Sequence, residues 1–232
     1  MVPVVAVAPY QLKESPYSSH SLLLESLPPE GRGRRVLDVG CAGGYLGAKL
    51  AARGYRVTGI DSPGAAGPNF PDSVKLVEAD LECGLPPLNG RFDFVICADV
   101  LEHLRRPDLM LGEVREVLAR DGRLAASLPN SGHAWFRWTV LRGRFPAQDR
   151  GLFDRTHLHF FTWRGWAELL RAQGFSIETL RCSAVPVGLA VPRWKDAGWV
   201  RALERMSFES ARVWKSMFAY QFIVTATPEV EP

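Results

Sequence analysis

The residues best suited to binding a ligand lie in a glycine-rich turn at positions 35–47, RVLDVGCAGGYLG. The turn follows an aliphatic run that predicts a buried strand, and a helix-forming segment comes after it. Glycines in such a turn let a ligand approach the backbone closely, because no Cβ stands in the way. The spacing departs from the dinucleotide pattern G-x-G-x-x-G, and Asp38 places a carboxylate beside the turn. A carboxylate is poorly matched to a pyrophosphate, so the turn favours a cationic ligand.

Further residues follow the next predicted strands at the equivalent place. Asp61 ends the second strand and stands 23 positions after Asp38, close to the separation expected for a carboxylate that binds ribose hydroxyls. Asp80 and Ala98 follow the third and fourth strands. Because ligands of open parallel sheets bind outside the carboxyl ends of the strands, all four residues are predicted to border one site.

The order of predicted elements indicates the fold class. Five strands alternate with helices through residue 130, which indicates an α/β fold with a doubly wound parallel sheet. A chain of 232 residues with 47% hydrophobic and 23% charged residues is typical of one globular domain. We therefore expect a single domain over 1–232, with an N-terminal cap at 1–34. Insertions at 131–161 and 184–217 are expected to cover the substrate.

Two motifs carry a resemblance to a known family. From Asp38 the turn reads D-x-G-x-A-x-G, and positions 92–104 read FDFVICADVLEHL. Both resemble the class I methyltransferases that depend on S-adenosylmethionine (SAM), with Ala42 in place of the middle glycine. The resemblance implies a mostly parallel, Rossmann-like sheet of seven strands whose last strand, here 218–226, is antiparallel. It also implies SAM as the cofactor, a ligand with an ammonium, a sulfonium and no phosphate.

The resemblance further implies a set of cofactor contacts. Asp61 would hold the ribose hydroxyls and Asp80 the adenine amino group, with Leu81 against the adenine ring. A helix before the first strand would close over the methionine end, where Tyr17 and His20 are candidates for the cofactor carboxylate; a surface cap is the alternative. The full set of cofactor-binding candidates is Asp38, Gly40, Ala42, Gly44, Asp61, Ser62, Asp80, Leu81, Ala98, His20 and Tyr17.

A stretch in the first insertion resembles a bacterial subgroup of small-molecule O-methyltransferases. From Asp154 the chain reads DRTHLHFFT, similar to the subgroup's D-R-T-H-x-x-F-F-T. The subgroup is often associated with glycan and secondary-metabolite pathways, so the resemblance implies SAM-dependent methyl transfer to a small-molecule hydroxyl. The alternatives are an RNA or protein methyltransferase and a catalytically inactive SAM-binding partner protein.

Histidines are the candidate catalytic groups, because a hydroxyl acceptor benefits from a base that titrates near neutral pH. His157 and His159 alternate on an extended run and should point to opposite faces. We expect His157 to be the base, oriented by Asp154 or Arg155, and the rate to rise with pH near about 6–7, where imidazole loses its proton. His103 opens a helix in a family-like stretch and is expected to have a packing role.

Charge and cysteine content exclude several classes of partner. The net charge of +3 is small, so no nucleic-acid partner is expected. The four cysteines form no CxxC pair, which predicts neither a metal site nor a disulfide framework and favours a cytoplasmic location. No apolar window is long enough for stable membrane insertion. Residues 193–217 are amphipathic and have three alternative roles besides core packing: a second lid, a homodimer face or a membrane-surface helix.

Overall fold

A seven-stranded sheet forms the centre of the computed structural model, which describes residues 15–229. Its strands are β1 (Arg35–Val39), β2 (Arg56–Asp61), β3 (Val74–Glu78), β4 (Phe92–Ala98), β5 (Leu118–Pro129), β6 (Phe175–Cys182) and β7 (Gln221–Pro228). The strand order is β3-β2-β1-β4-β5-β7-β6. The first five strands pair in parallel, and β7 runs antiparallel between β5 and β6. The predicted fold class, including the antiparallel last strand, is confirmed.

Helices pack on both faces of the sheet, and others lie beyond the carboxyl ends of its strands. They are α1 (Ser19–Ser26), α2 (Tyr45–Ala52), α3 (Pro107–Val117), α4 (Ala134–Leu141), α5 (Trp163–Ala172), α6 (Val187–Ala190), α7 (Gly198–Val213) and α8 (Lys215–Phe218). The predicted N-terminal cap contains α1, and its positions 1–14 lie outside the described residues. Among residues 15–229, every helix is too short or too polar to cross a lipid bilayer.

Apolar layers cover both faces of the sheet, as parallel strands require. Side chains alternate along β1, so that Val36 packs with Ile96 in one layer while Leu37 and Val39 pack with Val95 in the other. The first layer is completed by α1 and α2, and the second by α3 and α5. All five side chains are at most 1% exposed, so the strand ends are held rigidly against one another.

The strand order reverses direction at β1. This strand pairs with β2 on one side and β4 on the other, and its last residue, Val39, lies opposite Ile60 in β2 and Cys97 in β4. The three carboxyl ends are therefore level with one another. Connections leave this point toward opposite edges of the sheet, which opens a crevice above the ends of β1, β2 and β4.

The chain departs from the sequence prediction after β4. Residues Leu101–His103 form a single 3₁₀ turn in place of the helix expected at His103, and α3 follows at Pro107–Val117. β5 begins at the next residue, so Asp121 and Gly122 lie within the strand. The pairing of β5 with β4 accommodates them through a shift of register between Phe92 and Phe94.

The two predicted insertions form structured layers at the carboxyl edge. The first contains α4 and an aromatic cluster in which Phe136 and Phe153 stack at 4.4 Å between ring centroids. The second contains α6, α7 and α8. In this second insertion Phe208 packs on Tyr17 with the ring centroids 4.8 Å apart, which ties α7 to the N-terminal segment.

Candidate functional site

A cavity of about 270 Å³ lies in the crevice above the switch point. Its lining residues are Gly40, Asp61, Ser62, Asp80, Leu81, Glu82, Asp99, Val100, His103 and Leu104. The lining brings together residues that follow β1, β2, β3 and β4. This is the place at which an open parallel sheet binds its ligand.

The sequence prediction and the cavity agree in part. Five of the predicted cofactor residues line the cavity: Gly40, Asp61, Ser62, Asp80 and Leu81. The remaining six lie outside its lining: Asp38, Ala42, Gly44, Ala98, Tyr17 and His20. Four lining residues were not predicted: Glu82, Asp99, Val100 and Leu104. Val100 and Leu104 belong to the VLEHL stretch, Asp99 directly follows β4, and Glu82 lies four positions after the end of β3.

The glycine turn presents its backbone to the cavity in a left-handed conformation. Gly40 has φ 72°, and a Cβ at this position would lie 2.7 Å from Cγ2 of Val100. Ala42, which replaces the family's middle glycine, has φ 45°, a strained value for a residue with a side chain. Its backbone N–H donates to Oδ2 of Asp61 at 2.6 Å. The acidic residue at the end of β2 therefore braces the strained turn that follows β1.

The carboxylates of Asp61 and Asp80 are oriented by backbone amides. The Ser62 amide donates to Oδ1 of Asp61 at 2.7 Å, and the Glu82 amide donates to Oδ1 of Asp80 at 3.0 Å. Each carboxylate still borders the cavity, so it can accept further hydrogen bonds from a ligand. Two fixed acceptors of this kind suit the hydroxyls and exocyclic amine of a nucleoside.

We expect Asp61→Ala to weaken SAM binding by about 1–3 kcal/mol, because the ribose would lose a charged hydrogen-bond acceptor. Asp61→Asn is the matched variant: its amide oxygen can still accept from the Ala42 amide, although its NH₂ group then faces the Ser62 amide, and we expect a smaller loss of affinity than in Asp61→Ala. Calorimetric titration with SAM measures both variants. Unchanged affinity in Asp61→Ala, with the fold intact, would show that this strand end does not hold the ribose.

Asp38 is a buried acid beside the turn. Its side chain is 1% exposed, and neither carboxylate oxygen has a hydrogen-bond partner within residues 15–229. Burial, with a smaller contribution from the charge of Asp61, raises its pKa from 3.8 to about 7. A cationic group bound at the turn would stabilise the ionised form. The residues therefore fit SAM, whose ammonium and sulfonium are both positive.

A cluster formed by Glu102, His103 and His157 adjoins the cavity. Glu102 and His103 belong to the 3₁₀ turn after β4, and His103 lines the cavity. The imidazoles of His103 and His157 lie 4.7 Å apart between ring centroids, and Nε2 of His157 lies 3.9 Å from Oε1 of Glu102. His103 lies on a short 3₁₀ turn in place of the expected helix and lines the cavity wall; the packing role expected for it stays a prediction.

The tautomer of His103 follows from its neighbours. The hydroxyl of Thr156 donates to Oδ1 of Asp154 at 2.6 Å, so its oxygen is an acceptor toward Nδ1 of His103, 3.0 Å away. The carbonyl oxygen of Thr156 also lies 3.2 Å from this nitrogen and can only accept. Nδ1 therefore carries the proton, and Nε2 of the neutral ring has the lone pair.

The structure changes the expectation for His157. Its side chain is only 7% exposed, and burial together with the nearby His103 lowers its pKa to about 4, although Asp154 and Asp99 oppose the shift. The predicted titration near pH 6–7 is therefore wrong for this residue. Its catalytic role, with Asp154 or Arg155 as orienting residue, stays a prediction.

The other predicted residues lie farther from the cavity lining. Nε2 of His159 donates to the carbonyl oxygen of Leu104 at 2.9 Å, so this ring is held against the turn after β4. Tyr17 packs on Phe208, and His20 is buried within α1 with 7% exposure. Contacts of Tyr17 and His20 with the cofactor carboxylate stay predictions.

Comparisons with known proteins agree with this geometry. A family described as methyltransferase domain matches residues 12–180. The ubiquinone biosynthesis O-methyltransferase of Psychrobacter cryohalolentis is 31% identical over 133 residues, which are 53% of this chain and 52% of that protein. The enzyme of the same name from Xanthomonas axonopodis pv. citri is 32% identical over 166 residues, 64% of this chain and 65% of that protein. The chain thus spans about half the length of the first of these relatives.

A solved structure shows the same fold. The Burkholderia thailandensis 1,6-didemethyltoxoflavin-N1-methyltransferase, with bound 1,6-didemethyltoxoflavin and S-adenosylhomocysteine, superposes with a TM-score of 0.59 at 19% identity. The match covers 94% of this chain and 80% of that one. Together with the family match over 12–180, the glycine turn and the acidic strand ends, this places the chain among the class I SAM-dependent methyltransferases, with SAM as its cofactor.

Proposed function

We propose that this protein transfers a methyl group from SAM to a hydroxyl of a small molecule. The observation that carries the proposal is the arrangement of the cavity. Asp61 and Asp80, at and just after the ends of β2 and β3, line it, and so does His103, a member of the cluster formed by Glu102, His103 and His157. The names of the relatives, which are O-methyltransferases of ubiquinone biosynthesis, support an oxygen acceptor.

The chain's own residues have the tasks of binding and orientation. When bound, SAM supplies a methyl group on a positively charged sulfur. Asp61 and Asp80 would hold the ribose and adenine, and Asp38 would face the positive end. Such binding positions the methyl group for in-line displacement and excludes water, which supplies most of the catalysis for an electrophile that is already activated.

The acceptor hydroxyl is proposed to lie beside Nε2 of His103. This nitrogen has the lone pair, while the Asp154–Thr156 pair holds the opposite nitrogen of the ring. A hydroxyl is a weak nucleophile until its proton is removed. The cluster is suited to that removal in either of two states. Without an ion, Nε2 of His103 can take the proton. With a cation bound, Nε2 is a ligand, and the cation makes the hydroxyl acidic enough to lose its proton to water.

The insertions are proposed to cover the acceptor within a single domain over 1–232. The aromatic cluster of Phe136, Phe153 and Phe160 supports this, because Phe160 lies 6.1 Å from His157 between ring centroids and so joins the cover to the catalytic cluster. Aromatic side chains near a bound hydroxyl favour a flat or apolar acceptor. A glycan or secondary-metabolite pathway, a cytoplasmic location and a homodimer stay predictions.

A methyl-transfer assay tests the proposal. The purified chain is incubated with SAM and a panel of phenols, catechols and sugars, and products are identified by mass spectrometry. We expect one methyl group on a hydroxyl oxygen of at least one acceptor, with an equal amount of S-adenosylhomocysteine. Methylation only at nitrogen or on protein or RNA, or no product although SAM binds, would contradict it.

A further inference from the structure

We infer that Glu102, His103 and His157 bind a divalent metal ion at the edge of the cofactor cavity. The ligand-capable atoms of these three side chains all lie within 4.8 Å of one another. Two imidazoles and one carboxylate form a donor set that suits zinc, iron(II), cobalt(II) and manganese(II). The role assigned to the ion, holding the acceptor hydroxyl, rests on the proposed function, but the binding of the ion does not.

The backbone fixes the three side chains relative to one another. Two neighbouring residues, Glu102 and His103, come from the 3₁₀ turn, while His157 comes from the first insertion. The insertion is tied to the turn by the carbonyl oxygen of Glu102, which accepts from the amides of Leu158 at 2.8 Å and His159 at 3.3 Å. The third ligand is therefore held at the turn by main-chain hydrogen bonds, independently of any ion.

The hydrogen bonds that orient His103 are of the kind that orients a metal-binding histidine. Such a histidine usually donates its other N–H to a carbonyl or carboxylate, which fixes the tautomer and makes the ligand nitrogen more basic. In this chain Nδ1 of His103 donates toward both oxygens of Thr156, and the hydroxyl of Thr156 donates to Asp154. Asp154 is itself 5% exposed and anchors the exposed Thr156, so the arrangement holds Nδ1 and leaves Nε2 available as a ligand.

Three protein ligands leave coordination positions for other molecules. His103 lines the cavity, so the open positions are expected on the cavity side. An acceptor hydroxyl held there would give up its proton to water more readily. Its oxygen would then form a bond to the methyl carbon while the carbon–sulfur bond breaks, with the electron pair staying on sulfur as S-adenosylhomocysteine leaves.

Titration of the chelator-treated full chain with cobalt(II) alone tests the inference. We expect one cobalt ion per chain and a visible absorption spectrum typical of nitrogen and oxygen ligands. Thr156→Val removes a partner of a ligand and should weaken cobalt binding by about 10–100-fold, the loss typical of such partners. Glu102→Gln and His157→Gln each remove a ligand and should weaken cobalt binding by more than that. His133→Asn is the control: His133 is another buried histidine, outside the cluster, and asparagine can keep its cap on α4. It should bind cobalt like the wild type.

The outcomes separate the ion from the reaction. Equal binding by wild type, Glu102→Gln and His157→Gln, or no stoichiometric binding by the wild type, would overturn the inference. Methyl transfer that continues unchanged in excess chelator would overturn the assigned role while leaving the proposed function intact. Conversely, cobalt binding that depends on the cluster, in a chain that methylates no hydroxyl, would support the site and contradict the proposed function.

Discussion

His103→Ala is expected to lower kcat by roughly 10²–10⁴-fold, the range for loss of a side chain that assists removal of a proton in the transition state. His103 is the member of the catalytic cluster that lines the cavity, and its tautomer is fixed with the lone pair on Nε2. The affinity for SAM should change little, because the adenosine contacts are assigned to Asp61 and Asp80. Steady-state kinetics with calorimetry of SAM binding measures the two effects separately.

A matched control makes this result specific to the cluster. His133→Asn removes a buried imidazole elsewhere at the carboxyl edge and keeps a hydrogen-bond acceptor for the Trp135 amide. We expect this variant to leave SAM affinity at the wild-type value and to lower kcat far less than His103→Ala. A normal kcat in His103→Ala would mean that the acceptor does not meet this face of the cavity and that positioning of the methyl group alone supports turnover.

Asp38→Asn is expected to stabilise the cofactor-free chain at high pH while weakening SAM binding. The pKa of Asp38 is raised from 3.8 to about 7, so between these values the folded chain holds a proton that the unfolded chain has lost. The contribution of Asp38 to the free energy of unfolding is therefore fully present below pH 3.8 and is lost as pH rises through about 7. At about 1.4 kcal/mol per pH unit, the loss amounts to roughly 4 kcal/mol.

Urea unfolding of wild type and Asp38→Asn between about pH 4 and 8 measures this difference directly. The free energy of unfolding of wild type relative to the variant should fall across the range, since other titrating groups are common to both proteins. A difference that does not change with pH would show that Asp38 is ionised in the folded chain well below pH 7, contrary to its burial.

SAM binding should be coupled to the same proton. Because the cationic cofactor stabilises the ionised form of Asp38, binding near pH 6 is expected to release close to one proton in the wild type. Titrations in buffers with different ionisation enthalpies report that number. Asp38→Asn should release almost none and should bind SAM about 1.5–3 kcal/mol more weakly, the range for a lost hydrogen bond to a charged group.

Five of the eleven cofactor-binding candidates line the cavity, and the signals that led to them are local in sequence. Asp61 is the last residue of β2 and Asp80 lies two positions after β3, and the carboxyl ends of parallel strands meet at one edge. Asp61 and Asp80 could therefore be assigned to one site without knowledge of the packing. The hydrogen bond from the Ala42 amide to Asp61 was not predictable. It depends on a left-handed backbone conformation at Ala42, which alanine rarely adopts.

The contacts of the histidine cluster could not be predicted, because they join residues that are remote in sequence. His103 and Thr156, whose hydrogen bonds set the tautomer, are 53 positions apart. The helix expected at His103 is a single 3₁₀ turn, which changes the direction of the ring. The expectation of no metal site rested on cysteine spacing, a pattern that cannot reveal a cluster of one carboxylate and two histidines from separate segments.

The crystal structure of the chain with S-adenosylhomocysteine tests the central claim most directly. We predict the adenine amino group at the Asp80 carboxylate, the ribose hydroxyls at Asp61, the amino group of the ligand on the Asp38 side of the glycine turn, and the sulfur facing His103. A ligand bound elsewhere, or bound with its sulfur directed away from the cluster of Glu102, His103 and His157, would contradict the account.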